Sequence, residues 1–170
     1  MTEIAAQEID TLITRMAADL ADFLAQRGCQ DYAMIGIHTG GVWIAERLYR
    51  ILAPADPLGH LNIAFYRDDF SRIGMHPSVE PSTLPFEIEG RHIVLIDDVL
   101  YTGRTIRAAL NEIFDYGRPA SISLAVLVDR GEHELPIQAD IIGTQLSLPP
   151  GEHVKLCGPD PLGVTIKTAA

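Results

Sequence analysis

The sequence predicts an open α/β domain: a central, mainly parallel, twisted sheet flanked by helices. Three observations lead there. Residues 93–110, IVLIDDVLYTGRTIRAAL, run a short β-branched apolar stretch into two adjacent carboxylates, a Thr-Gly-Arg-Thr loop and an amphipathic helix, which is half of a β-α-β unit. Residues 32–52 repeat that plan, with apolar YAMIGI, a tight loop of His38, Thr39, Gly40 and Gly41, and then a helical pattern. Further apolar runs follow within 170 residues, a length that suits one domain, 1–170, with a real core.

Ile9, Leu12, Ile13, Met16, Leu20, Phe23 and Leu24 recur at intervals of three and four, so the first element is an amphipathic helix ended by Arg27 and Gly28. Its other face is mostly acidic. Residues 32–37 read as a buried strand and 42–52 as a helix, and Pro54 to Gly59 break the chain before a strand at 61–66. Residues 67–89 are polar and irregular, with Gly74, Pro77, Pro81 and Pro85; so long a stretch without periodicity is expected to be a flexible active-site lid. Residues 93–96 form the next strand, and Ile106, Ala109, Leu110, Ile113 and Phe114 a helix stopped by Gly117 and Pro119. Strands at 121–128 and 139–142 follow, and the tail holds two more short strands, so that residues 129–170 are expected to form a small hood with the C-terminal strands.

Composition narrows the classes. The chain is 47% hydrophobic and 21% charged, which is globular rather than disordered. It shows no signal peptide, no basic leader and no apolar run long enough to cross a bilayer, so the expectation is a cytoplasmic protein without membrane contact. Cys29 and Cys157 lack metal-ligand spacing and are expected to be reduced structural thiols. A net charge of -10 means that a nucleic-acid partner needs a local basic patch set against a repulsive field.

Both strand-loop-helix units place their loops at the carboxyl edge of the sheet, where open α/β proteins bind ligands. The first N–H groups of each helix have no intrahelical partner, so each loop is suited to an anion. Around residues 102–105, Thr102 and Thr105 add hydroxyls and Gly103 permits close approach. Asp97 and Asp98 repel a phosphate and suit sugar hydroxyls or a hydrated metal ion instead. The plainer reading stands beside this one: paired acids often begin an exposed loop, and Thr-Gly before a helix is often only a turn and a cap.

The stretch DDVLYTGRT resembles the phosphoribosyl pyrophosphate (PRPP) motif of type I phosphoribosyltransferases. The blocks GIHTGGVWIAERL, FYRDDFS, VLIDDVLYTGRTIRAAL, GRPASI and VLVDRGEHELPIQAD extend the resemblance over residues 35–142 to the PyrR family, pyrimidine operon regulators that are also uracil phosphoribosyltransferases. The resemblance implies the type I fold, with a hood and a lid, and uracil plus PRPP giving UMP and pyrophosphate. It implies that Asp97 and Asp98 hold the ribose hydroxyls and, through PRPP and water, Mg²⁺. It puts Tyr101, Thr102, Gly103, Arg104 and Thr105 around the 5′-phosphate, and His38, Thr39, Gly40 and Gly41 around pyrophosphate. Family members often carry an Arg where Gly40 stands, and Arg67 is the candidate to replace that charge in catalysis. Its bland alternative is a pair with Asp68 or Asp69. Val99, Leu100 and Tyr101 would face Val128, Asp129 and Arg130 across the base; an internal ion pair of Asp129 with Arg130 is the equal alternative. The plainer readings are a solvated helix-start residue for Arg104 and an ordinary strand-end histidine for His38.

Tyr101 discriminates among bases. Purine enzymes that resemble this motif usually place an acid there, and a phenol with an ordinary pKa of about 10 is a poor base at neutral pH. The balance shifts to a pyrimidine; the plainer alternative is that Tyr101 packs over the ligand or caps the loop. The alternatives are a nucleotide-responsive, weakly catalytic RNA-binding regulator, or an enzyme for hypoxanthine or orotate. RNA binding is disfavoured, because Lys occurs only at 155 and 167 and His133 and Gln138 stand where relatives commonly carry basic residues. Relatives also imply a homo-oligomer, a dimer or tetramer.

Overall fold

The apolar runs pair side by side in one parallel sheet. The computed structural model describes residues 3–63 and 81–169. In order come β1 (Glu3–Ile4), α1 (Ala6–Gln26), β2 (Tyr32–Ile37), α2 (Gly40–Leu52), β3 (Gly59–Leu61), β4 (His92–Leu100), α3 (Arg104–Tyr116), β5 (Ser121–Asp129), β6 (Ile141–Gln145), β7 (Glu152–Cys157) and β8 (Gly163–Thr168). The main sheet has the order β3-β2-β4-β5-β6 and every neighbouring pair is parallel. A three-stranded antiparallel sheet, β1-β8-β7, stands apart from it.

Successive strand residues point to opposite faces, which explains why the central strands are apolar throughout. Met34, Val94, Ile96, Ala125 and Leu127 pack with α1 and α2 through Met16, Leu20, Ile44 and Leu48. Ala33, Ile35, Ile93, Leu95, Leu124 and Val126 pack on the other face with Ile106, Ala109 and Ile113 of α3. Each fully buried Ile or Leu contributes about 1.5–3 kcal/mol, so the two layers hold the strand ends, and the loops after them, in fixed register. The small sheet joins the first layer through Leu156, Leu162 and Val164.

Four boundaries differ from expectation. Of the strand expected at 61–66, residues 64–66 lie outside the described residues; the described strand is Gly59–Leu61, which ends where its parallel neighbour β2 ends at Ile37, opposite Leu61, and Asn62 donates its N–H to Ser82 Oγ at 2.9 Å. Of the expected lid, residues 67–80 lie outside the described residues. Residues 81–89 are anchored rather than free: Thr83 bridges His60, Ser82 Oγ donates to Glu112 Oε1 at 3.1 Å, and Ile88 is only 2% exposed. Leu84, Phe86 and Ile88 alternate as a period-two pattern and pack against the α3 layer, a signal hidden by the surrounding prolines.

The third difference concerns the acids. β4 does not stop at Ile96 but runs through Asp97 and Asp98, because its ladder with β5 continues to Leu100 opposite Asp129. The fourth concerns the hood. Residues 141–145 join the main sheet beside β5, and the small sheet draws in Glu3–Ile4 from the other end of the chain. Among the described residues no helix is long and apolar enough to cross a membrane.

Candidate active site

The acids and the first loop are in direct contact. Asp97 is 4% exposed, and its Oδ1 accepts the Asp98 N–H at 2.9 Å. Asp98 Oδ1 accepts the Val99 N–H at 2.8 Å. Each carboxylate is thus pinned by the next residue's amide. α2 starts against them: a Cβ on Gly41 would lie 2.7 Å from the Ile96 carbonyl oxygen and 3.0 Å from Asp97 Cα, and one on Gly40 would lie 2.8 Å from Asp98 Cγ. Only glycines let the helix begin so close to the strand. Thr39 is the N-cap of α2 but makes no side-chain cap bond, the first turn carries no acid, and the His38–Thr39 peptide is cis. The His38 N–H donates to the Leu61 carbonyl at 2.9 Å, and its ring meets His60 edge-on at 5.4 Å.

The second loop, Tyr101 to Gly103, turns from β4 into α3. Gly103 has φ of 94° and is the N-cap, again with no side-chain cap; a side chain is strained at such a φ, so glycine is required here. The Arg104 N–H donates to Thr102 Oγ1 at 3.3 Å, and Thr105 is half-buried one residue further on. Two uncapped helix starts therefore flank the carboxylate pair, and both suit anions.

The segment after β5 is lashed to this loop. Register places Val99 beside Val128 and Leu100 beside Asp129. The Arg130 N–H donates to the Leu100 carbonyl at 2.9 Å, and the Thr102 carbonyl accepts N–H groups from Glu134 at 2.9 Å and Leu135 at 3.2 Å. Arg104 is the helix-start residue, but it is not merely solvated: its Nε and Nη2 donate to Glu134 Oε2 at 3.1 and 2.9 Å. Asp129 and Arg130 do not form the internal ion pair offered as an alternative. Asp129 Oδ1 accepts the Gly131 N–H and meets His133 Nε2, both at 2.8 Å. Arg130 pairs with Glu132 Oε2 at 3.3 Å, and its Cζ lies 4.0 Å from the Tyr101 ring centroid. Arg130 is 7% exposed, and its Nε has no hydrogen-bond partner among the described residues. A cleft of about 300 Å³ opens here, bordered by Asp129, Arg130, Glu132, Gln145 and Leu146.

The sequence did not single out Glu134 as the partner of Arg104 or His133 as the partner of Asp129. The only available signal was the density of polar residues in GEHE, four residues that follow β5 in a loop facing the turn from β4 into α3. Arg67 lies outside the described residues. Among the described residues no group of three or more His, Cys, Asp or Glu side chains is arranged to hold a metal. The donor set at the strand end is two carboxylates between two anion-suited loops. It fits a ligand with negative charge at both ends and hydroxyls between.

Comparisons with known proteins agree with that geometry. Residues 2–154 match the family model described as the phosphoribosyl transferase domain. A "Bifunctional protein PyrR" from Nitrosococcus oceani is 63% identical over 161 residues, covering 94% of this chain and 91% of the relative. Another so named from Pseudomonas aeruginosa is 58% identical over 156 residues, 92% of each. The solved hypoxanthine phosphoribosyltransferase of Trypanosoma cruzi aligns with a TM-score of 0.70 at 20% identity, covering 97% of this chain and 94% of that one, a likeness of fold. With the parallel sheet, the paired loops and the carboxylates between them, these matches show that the chain belongs to the PyrR family and carries its phosphoribosyl transferase domain.

Proposed function

We propose that the chain transfers the phosphoribosyl group of PRPP to uracil, giving UMP and pyrophosphate. The observation that carries this reading is the contact of Gly40 and Gly41 with Asp98 and Asp97, with the uncapped start of α3 on the far side of the acids. One ligand can then span both loops: its 5′-phosphate at residues 102–105, its pyrophosphate at residues 38–41, and its ribose hydroxyls at the carboxylates. In the reaction the bond from the anomeric carbon to pyrophosphate breaks, the bond to uracil N1 forms, and the N1 proton is lost.

Such a displacement develops positive charge on the sugar, so positioning and electrostatics supply most of the catalysis. Asp97 and Asp98 orient the hydroxyls and lend negative potential to that cationic sugar. The N–H groups at the two helix starts hold the ligand's anionic ends. Carboxylate oxygens suit Mg²⁺, so Asp97 and Asp98 are the residues that would hold the ion, indirectly through PRPP and water. When bound, it neutralises charge on the leaving pyrophosphate. Uracil offers alternating acceptor, donor and acceptor groups, which suit the backbone groups of the Val99–Tyr101 and Val128–Arg130 segments that lie side by side. Tyr101 carries no acid for a purine nitrogen, which favours the pyrimidine.

The acidic surface favours the enzyme over an RNA-binding regulator, since net charge is -10 and Lys occurs only at 155 and 167. Pyrophosphate release measured with PRPP, Mg²⁺ and a panel of uracil, orotate and hypoxanthine tests the proposal. UMP should be the main product. Turnover of hypoxanthine above uracil, or salt-sensitive sub-micromolar binding of pyrimidine-gene leader RNA without any turnover, would overturn it.

A further inference from the structure

Residues 133 and 134 are neighbours in the chain and reach in different directions. Glu134 engages the turn into α3, through its carboxylate on Arg104 and its N–H on the Thr102 carbonyl. His133 instead reaches back to the end of β5, where its Nε2 lies 2.8 Å from Asp129 Oδ1. A carboxylate can only accept, so Nε2 is the ring nitrogen that carries a proton toward it. Asp129 is buried, and the same oxygen also accepts the Gly131 N–H at 2.8 Å. Among the described residues His133 is the one side chain that bonds Asp129.

Asp129 is a junction between strand ends. Its carbonyl accepts the Leu146 N–H at 3.0 Å, which ties it to the residue after β6, and the Arg130 N–H donates to the Leu100 carbonyl at 2.9 Å. Its carboxylate holds Gly131, at a φ of 77°, in the turn that follows. The same turn carries Arg130 onto the Tyr101 ring. A buried carboxylate that loses a partner costs more than the bond itself contributes, so removal of the imidazole drives Asp129 toward water and loosens this turn. We infer that His133 is a positioning residue for the base: acting through Asp129, it fixes the Val128–Arg130 backbone beside which uracil is read. The inference rests on the proposed placement of uracil at that segment. It divides the loop after β5 between two tasks, with His133 serving the base and Glu134 the phosphoribosyl donor.

The test is steady-state UMP formation by the intact protein, with uracil varied at saturating PRPP and PRPP varied at saturating uracil. His133→Leu fills the space of the ring but cannot donate. It should raise the KM for uracil at least about fivefold, as expected for a lost bond to a buried carboxylate, while the KM for PRPP and kcat stay within about twofold of wild type. His133→Gln presents an amide N–H to the carboxylate and should recover most of that loss. In an Asp129→Ala background the partner is gone, so adding His133→Leu should change the KM for uracil by less than about twofold. Three results overturn the inference: an unchanged KM for uracil in His133→Leu, an equal rise in both KM values, or a full His133→Leu effect without Asp129. Equal defects in His133→Leu and His133→Gln overturn it as well. Should His133→Leu not fold, His133→Ala takes its place in each comparison. Absence of UMP formation by wild type overturns the uracil reading itself, and this inference with it.

Discussion

The Arg130 guanidinium carbon lies 4.0 Å from the centroid of the Tyr101 ring, joining the segment after β5 to the loop after β4. The ring is 40% exposed, whereas Arg130 is buried. A stack with one partner buried and the other partly exposed contributes about 0.5–2 kcal/mol. Replacing Tyr101 with Ala should raise the KM for uracil by about threefold to thirtyfold, with a smaller change for PRPP. Tyr101→Phe keeps the ring and should stay within about twofold of wild type. Equal losses in both variants would mean that the hydroxyl, not the stack, matters.

Asp98→Asn leaves the side chain's size unchanged and removes its charge. The fold should remain intact by circular dichroism while UMP formation falls at least about tenfold, a barrier increase of about 1.4 kcal/mol. An unchanged rate would remove the acid pair from the mechanism.

Gly41→Ala tests the close approach of α2 to β4. The new methyl group would lie 2.7 Å from the Ile96 carbonyl oxygen, a backbone atom that cannot step aside. Overpacking of this kind costs about 1–3 kcal/mol. The variant should melt at a lower temperature and bind PRPP more weakly, and unaltered calorimetric values for both would contradict the packing seen here.

Arg104 and Glu134 are both more than half exposed, so their ion pair should be weak, about 0.2–1 kcal/mol in a double-mutant cycle on stability. Its greater effect should be on the turn at Thr102 and Gly103. Glu134→Gln should alter the KM for PRPP by about twofold to fivefold while the melting temperature barely moves, because the Glu134 N–H still donates to Thr102. A stability loss without any KM change would assign the pair a purely architectural part.

Burial pushes the Tyr32 phenol above its ordinary pKa. The folded chain therefore favours the neutral phenol, and the unfolded chain ionises first once the pH passes about 10. The stability that this shift contributes is present at neutral pH and is lost as pH rises through the folded value. Urea unfolding between about pH 9 and 11 should show a steeper decline for wild type than for Tyr32→Phe. Identical slopes would place the titration elsewhere.

Much of the fold could be read from the sequence because its signals are local. YAMIGI, IVLI and SISLAVLV are apolar on both faces, as a doubly covered parallel strand must be, and the period of α1 and α3 is regular. The acid pair and the Thr-Gly turn are likewise contiguous. What escaped depends on distant partners. Nothing near Asp97 announces that β4 continues past Ile96, since that is decided by the length of β5. Glu3 and Ile4 become a strand only because β8 presents an edge to them. His133 and Glu134 acquire partners because the loop after β5 folds back over the turn between β4 and α3, and sequence spacing does not encode that fold-back.

The pairing of Glu3 with Thr165 has a kinetic consequence. Every neighbouring pair in the main sheet closes over a much shorter stretch of chain than this one does, and closure entropy grows with the stretch enclosed. β1 should therefore be the last strand to dock during folding, and its amides among the first in the sheets to exchange with deuterated solvent. Its two residues form only the edge of the small sheet, so their opening leaves β7 and β8 still paired over Leu156 and Val164. The parallel sheet, and with it the acid pair at the end of β4, can then stay assembled while that edge opens and closes.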